Sequence, residues 1–280
     1  MIHPSDIGAH RFAHQAMNTE FEIFCVHDDG DYAQQAAWAA FDLLDRMEND
    51  LSRFIPNSDI SRINHLEAGE SVRVSRWTME CLELACQAYQ ETSGAFDISL
   101  GTGMDCLQLS PREMLVARLV GQPILAADSL SNGSSRPKAG LHLDLGGIGK
   151  GYAVDRMAEV LDEWEIRQAL IHGGHSSVLA LDAPPGLDGW PLTMGDRNIA
   201  ARRRAFSASG IRTQGDHIVD PRTGQSAGGR VAAWVSLELD GSPSPSAVAE
   251  AYSTAFMILP ASEIDAIQAR RPGLEVWFLE

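Results

Sequence analysis

The residues best suited to chemistry lie in three short stretches. The first, residues 143–155, reads LDLGGIGKGYAVD. Glycines this closely spaced let backbone approach a neighbour or adopt φ > 0, and Lys150 among them points to negative charge. With a strand leading in and a helix leading out, its N–H groups would form an anion site at the helix's positive end. Tight strand-to-helix packing beside an ordinary surface lysine accounts for the same residues. The spacing is neither that of a P-loop nor the dinucleotide pattern G-x-G-x-x-G. The second stretch, residues 216–224, reads DHIVDPRTG. Its Asp-Pro-Arg-Thr-Gly run is a strong turn signal. His217 just before it can act as a base or ligand near neutral pH, or be purely structural. The third, AEAYSTAF at residues 249–256, sets Glu250 and Thr254 four apart, on one face of a helix. Carboxylate and hydroxyl are hard oxygen donors suited to Mg²⁺. A surface glutamate beside a helical threonine is the plainer reading. Weaker signals come from TSGAFDISLG (residues 92–101), with Phe96 and Asp97 in a turn, from SRF (residues 52–54), and from SASG (residues 207–210).

These groups act against an acidic background. The 280 residues carry 38 Asp and Glu against 22 Lys and Arg, a net charge of −16. Such a surface argues against nucleic-acid and anionic-membrane partners, which call for basic patches. An anionic ligand would need local help from backbone N–H groups, a cation or a metal ion. The hydrophobic share of 44% suffices for a sizeable core. The length allows one large domain or two closely joined ones. Cys25, Cys81, Cys86 and Cys106 show no C-x-x-C pair and read as buried free thiols of a reducing compartment. Residues 1–21 hold no apolar signal core, and no run of about 18 apolar residues occurs. A cytoplasmic location is expected.

After a polar leader, residues 17–26 alternate as a strand with Phe21, Ile23 and Cys25 on one face. Residues 31–50 follow as a helix whose stripe is Ala36, Ala37, Ala40, Phe41, Leu44, Met47 and Leu51, with Asp31 as N-cap. SRFIPNSDISRIN (residues 52–64) is a loop with a short helix, and a second long helix spans residues 75–92. Residues 128–140 read as an exposed Ser/Gly/Pro loop. A short strand at 141–145 enters the glycine stretch and a helix at 152–165 leaves it. Strands are expected at 169–171 and in PLTMGD, RRAFSASG and RVAAWVSLEL, then a helix at 247–259, a short helix and a terminal strand. Helices and strands interleave without regular alternation, so the fold class is α+β.

In this order the segments resemble the ApbE family, the FAD:protein FMN transferases. MNT at residues 17–19 is similar to the family's Met-Gly-Thr, SRFIPNSDISRIN to its S-x-[YF]-x-x-x-S-[ED]-[IL]-x-x-[IL]-N, and GAFDIS to its Gly-Ala-Phe-Asp turn. LDLGGIGKGYAVD resembles its Gly-Lys-Gly-Tyr loop, HGGH (residues 172–175) its Gly-Gly-Asp or Gly-Gly-Asn, SASG and HIVDPRTG its Ser-Gly and His-Ile-x-Asp-Pro-x-x-Gly, and AEAYSTAF its Ala-Asp-Ala-x-x-Thr-Ala helix. The resemblance covers nearly the whole chain. It implies a T-fold-related ApbE-like architecture of mixed sheets and packed helices. Residues 1–280 would form one domain, undivided or made of two intertwined subdomains with an FAD cleft between them.

The activity implied is Mg²⁺-dependent transfer of the FMN half of FAD, as a phosphoester, to a Thr or Ser of an acceptor flavoprotein, with AMP released. Some relatives instead hydrolyse FAD to FMN and AMP. By the resemblance, the Gly149 carbonyl, Glu250 and Thr254 would hold the metal. Met17, Phe54, Ala95, Phe96 and Asp97 would contact the flavin. Gly146, Lys150 and Tyr152 would bind FAD around the pyrophosphate. His217 would be the active-site histidine, and His217 or Asp97 the base. Three positions depart from the pattern: Glu250 stands for Asp, His175 for an acidic or amide residue, and Asn18 for Gly. A non-catalytic FAD-binding homologue and an FAD pyrophosphatase are the alternatives.

Overall fold

Strand β1, His10–Ala16, turns back into β2, Thr19–Cys25, through Met17 and Asn18 alone. The polar leader expected before residue 17 is thus a strand from His10 onward. Its polar residues alternate with half-buried Phe12 and His14, a period of two that the histidines and glutamine disguise. The computed structural model describes residues 7–100, 104–111, 115–120, 141–210, 219–224, 229–239, 241 and 243–279. His217 and the loop expected at 128–140 lie outside the described residues.

Helix α1 spans Gly30–Leu51, and its whole expected apolar stripe is buried. Its N-cap is Asp29, not Asp31: the Asp29 carboxylate accepts from the N–H groups of Asp31 and Tyr32 at 3.0 and 3.1 Å. Short α2, Asp59–Ile63, is capped by Ser58, and α3, Arg76–Glu91, by Ser75. Strands β3 (Ser71–Arg73), β4 (Leu107–Ser110) and β5 (Val116–Leu119) form a small antiparallel sheet in the order β3-β5-β4. Then come α4 (Gly149–Glu163), β6 (Ala169–Gly173), β7 (Ser177–Ala180), β8 (Trp190–Met194), β9 (Arg197–Ala201) and β10 (Arg204–Gly210). The chain closes with β11 (Ala232–Glu238), α5 (Pro245–Phe256), α6 (Ala261–Arg270) and β12 (Leu274–Leu279).

Seven strands form the main antiparallel sheet, in the order β1-β2-β6-β7-β10-β11-β12. One face packs against helices. α1 lies beside β1 and α4, α4 covers β6 and β7, and α5 covers β10 and β11. The opposite face is covered by the β8–β9 hairpin, whose Trp190, Leu192 and Met194 meet Phe24, Leu170, Val178 and Phe206. Having both faces covered makes β7 fully buried along its length, so it lacks the alternation that would reveal it in sequence.

The strand expected at 141–145 does not form: the segment has no neighbouring strand. The Asn64 side chain takes the neighbour's place, accepting from Leu143 N–H at 2.7 Å and donating to its carbonyl at 3.0 Å. Helix α4 then starts at Gly149, three residues earlier than expected. It lies hard against α5: a Cβ on Gly151 would stand 2.3 Å from the Ser246 carbonyl oxygen, so only glycine fits. One turn on, the buried Asp155 carboxylate accepts from the N–H groups of Ser246 and Ala247, both at 3.0 Å. α5 has no side-chain cap of its own, so Asp155 supplies it from the neighbouring helix.

Candidate functional site

These elements enclose a cleft of about 2400 Å³ at the end of the main sheet. Small-molecule pockets usually run to roughly 300–1,000 Å³, so the cleft has room for more than one compact ligand. The β1–β2 turn forms one wall. Met17 and Asn18 have φ of 50° and 58°, the type I′ turn whose twist suits a two-residue hairpin. Asparagine takes this conformation readily, so Asn18 preserves the turn a glycine would make. Methionine takes it at a cost of about 1–2 kcal/mol, and the Met17 N–H is anchored on the Glu48 carboxylate of α1 at 2.8 Å.

Opposite, Phe54 is 76% exposed at the rim. The Arg53 guanidinium covers one face of its ring, 4.2 Å from the centroid, and leaves the other open. Arg53 also pairs with Asp144 at 2.8 Å. The other Asp144 oxygen accepts the Gly146 N–H at 2.9 Å. One carboxylate thereby ties the Phe54 loop to the glycine loop. Ala95, Phe96 and Asp97 form part of the floor. The Thr92 hydroxyl holds the Phe96 N–H at 3.0 Å. The Phe96 ring lies under Gly147, where an added Cβ would come within 3.1 Å of it. Asp97 accepts from the Ser99 N–H and hydroxyl at 2.8 and 2.6 Å.

Lys150 and Glu250 meet at the centre. The Lys150 ammonium contacts Glu250 Oε1 and donates to the Gly146 carbonyl at 3.2 Å. Glu250 Oε2 accepts the Gly151 N–H at 2.7 Å. Thr254, one turn along α5, lies 3.2 Å from the Ser209 hydroxyl of β10. The N–H groups of Gly146, Ile148, Gly149, Gly151 and Tyr152 all donate within the chain, leaving fewer for an external anion. Close packing is therefore a main reason for these glycines.

The charge around the cleft sharpens the point. Among the described residues its lining holds five carboxylates, Glu48, Asp97, Asp144, Asp196 and Glu250, against three cations, Arg53, Lys150 and Arg222. Each cation is already paired, with Asp144, Glu250 and Asp220. Such a cleft repels a pyrophosphate unless a further cation accompanies it. The Glu250 carboxylate, the Thr254 hydroxyl and nearby backbone carbonyls are oxygen donors whose chemistry suits Mg²⁺, so the residues present fit that ion. With one carboxylate the set stays below three acidic or His/Cys ligands, and no such cluster occurs among the described residues.

The sequence profile of the ApbE family matches residues 17–278. The chain belongs to the ApbE family. Among its relatives, an FAD:protein FMN transferase of Vibrio cholerae is 25% identical, with 79% of this chain and 74% of that one aligned. One from Klebsiella pneumoniae is 29% identical over 69% and 68% of the two chains. The solved flavin transferase ApbE from Vibrio cholerae superposes with a TM-score of 0.74 at 19% identity, covering 96% of this chain and 93% of that one. The apo ApbE flavinyl transferase from Pseudomonas stutzeri gives 0.75 at 19% identity, covering 97% and 94%. The mixed α+β fold is that of ApbE structures.

Most residues singled out through the ApbE resemblance line this one cleft: Met17, Phe54, Ala95, Phe96, Asp97, Gly146, Gly149, Lys150, Glu250 and Thr254. Tyr152 does not. Its ring is fully buried, its hydroxyl donates to Glu80 at 2.8 Å, and the Arg156 guanidinium lies 5.2 Å from its ring centroid. Burial, reinforced by Glu80, raises its phenol well above the usual range. It sits two residues past Lys150, on the α4 face turned into the core. His175 is exposed at the rim. Glu48 lay outside every stretch the sequence marked, and Arg53, Asp144 and Ser209 lay inside marked stretches without a role of their own. Only Asp144 carried a local signal, an Asx-type turn two residues ahead of Gly146.

Proposed function

We propose that this protein is an FAD:protein FMN transferase that moves FMN from FAD to a Thr or Ser hydroxyl of an acceptor protein. The observation that carries the reading is the single cleft whose lining draws on eight separate ApbE-like segments around a Lys150–Glu250–Thr254 centre. Its volume leaves room for a dinucleotide together with an acceptor segment. The flavin ring would lie against Met17 and the open face of Phe54, an apolar and polarisable wall. The pyrophosphate would lie over the glycine loop near Lys150. Mg²⁺ held by Glu250, Thr254 and the Gly149 carbonyl would offset the charge that builds on the departing AMP. The acceptor hydroxyl attacks the FMN phosphorus, the bond from that phosphorus to the bridging oxygen breaks, and AMP leaves with that oxygen. The hydroxyl's high pKa calls for a positioned base, and Asp97 or His217 would take its proton.

Incubation with FAD, Mg²⁺ and a candidate acceptor should release AMP and leave flavin bound to the acceptor. Loss of both signals across several divalent metals would count against the assignment. Free FMN formed without acceptor would identify a pyrophosphatase instead. One observation favours a non-catalytic FAD binder: both Glu250 oxygens already have partners within the protein. That reading requires tight FAD binding without AMP release, even after Glu250→Asp.

A further inference from the structure

Four hydroxyls run in a chain from the core to the floor of the cleft. Ser207 and Ser253 are fully buried, whereas Ser209 and Thr254 are half-buried and line the cleft. Ser207 lies 3.2 Å from Ser253, Ser253 lies 2.9 Å from Ser209, and Ser209 lies 3.2 Å from Thr254. The chain ends on the Glu250 carbonyl oxygen, 2.9 Å from the Ser253 hydroxyl and 3.3 Å from that of Thr254.

Each hydroxyl has one proton to give and two lone pairs to receive with, which leaves few arrangements. Ser207 has Ser253 as its neighbour in the chain, and its buried proton is satisfied when it donates to Ser253. If Ser253 donates to the Glu250 carbonyl, its second lone pair takes the Ser209 proton, and Ser209 in turn accepts from Thr254. If Ser253 donates to Ser209 instead, Ser209 donates to Thr254, whose proton goes to the Glu250 carbonyl. In both cases the Thr254 proton points into the protein, so Thr254 offers the cleft an acceptor and no donor. A hydroxyl held this way attracts a cation and repels a phosphate oxygen.

We infer that Ser209 is a positioning residue that locks the Thr254 lone pairs toward the cleft and so creates half of a cation site. The inference rests on the reading of Glu250 and Thr254 as that site. Without Ser209, the Thr254 proton keeps only a long bond to its own helix. The hydroxyl can then turn outward and present hydrogen to the cation.

The test is calorimetric titration of Mn²⁺ alone, without FAD, into the full chain and its variants. Ser209→Ala should weaken Mn²⁺ binding by about five-fold, the worth of one hydrogen bond. Ser209→Thr, which restores a hydroxyl at that place, should recover it. In a Thr254→Ala background, Ser209→Ala should add no further loss, because its effect passes through Thr254. A merely structural role would lower stability alike in both backgrounds and leave the Mn²⁺ isotherm unmoved. Undiminished Mn²⁺ binding in Ser209→Ala, or losses that multiply independently, would overturn the inference while leaving the cation site intact. Failure of the unaltered protein to bind Mn²⁺ would overturn the cation site and the inference with it.

Discussion

Glu250 carries a carboxylate almost sealed from water, at 3% exposure, with an ammonium on one oxygen and a backbone N–H on the other. On the proposed reading, with Glu250 as a cation ligand, Lys150 and the cation would compete for its carboxylate. Removing one member of a buried pair leaves the other uncompensated, at about 3 kcal/mol. Lys150→Met should thus lower stability by about that much in the absence of divalent ions. Millimolar Mg²⁺ should restore more of the thermal midpoint in this variant than in the unaltered protein. Thermal unfolding with and without Mg²⁺ reads both effects, and a variant indifferent to Mg²⁺ would show that Glu250 is no ligand.

The α4–α5 pair is the element that fixes this geometry, through reciprocal contacts. The start of α4 gives the Gly151 N–H to Glu250 on α5, and Asp155 on α4 receives two N–H groups from the start of α5. Burial pushes the Asp155 carboxyl up to about 7, although those N–H groups and Arg156 pull the other way. With a folded value above 3.8, the fold holds this proton more tightly than the unfolded chain does. Its stabilisation is complete below 3.8 and is lost as pH rises through about 7. In urea unfolding, the stability margin of the unaltered protein over Asp155→Asn should narrow as pH rises across that window. A margin constant with pH would mean that Asp155 titrates at its ordinary value. The Asn18 turn belongs to the same scale: a two-residue hairpin accepts Asn as well as Gly, so this departure from the family pattern leaves the element unchanged.

Across the whole molecule, a net charge of −16 and a cleft richer in carboxylates than in cations set the condition for binding any dinucleotide. A divalent ion is the simplest means of reversing the local sign. FAD affinity, read from quenching of flavin fluorescence, should therefore fall at least about tenfold when EDTA replaces Mg²⁺. Equal affinity in both would point to neutralisation by the protein alone. Cys25, Cys81, Cys86 and Cys106 are free thiols, but only Cys25 and Cys81 are buried as expected and the other two are partly exposed; among the described residues no helix is long and apolar enough to cross a membrane. The amino-acid order by itself determined the amphipathic helices, because the α1 stripe depends on neighbours within four residues. It also determined the segments that line the cleft, through motifs whose residue types are local. Tertiary structure alone decided the rest. β7, buried on both faces, has no periodicity to read, and the segment at 141–145 is completed by the side chain of distant Asn64. Tyr152 turns into the core because α4 begins at Gly149, and Glu250 meets Lys150 across a hundred residues of chain because Gly151 lets two helices touch. Such contacts join residues far apart in sequence, and no local pattern records them.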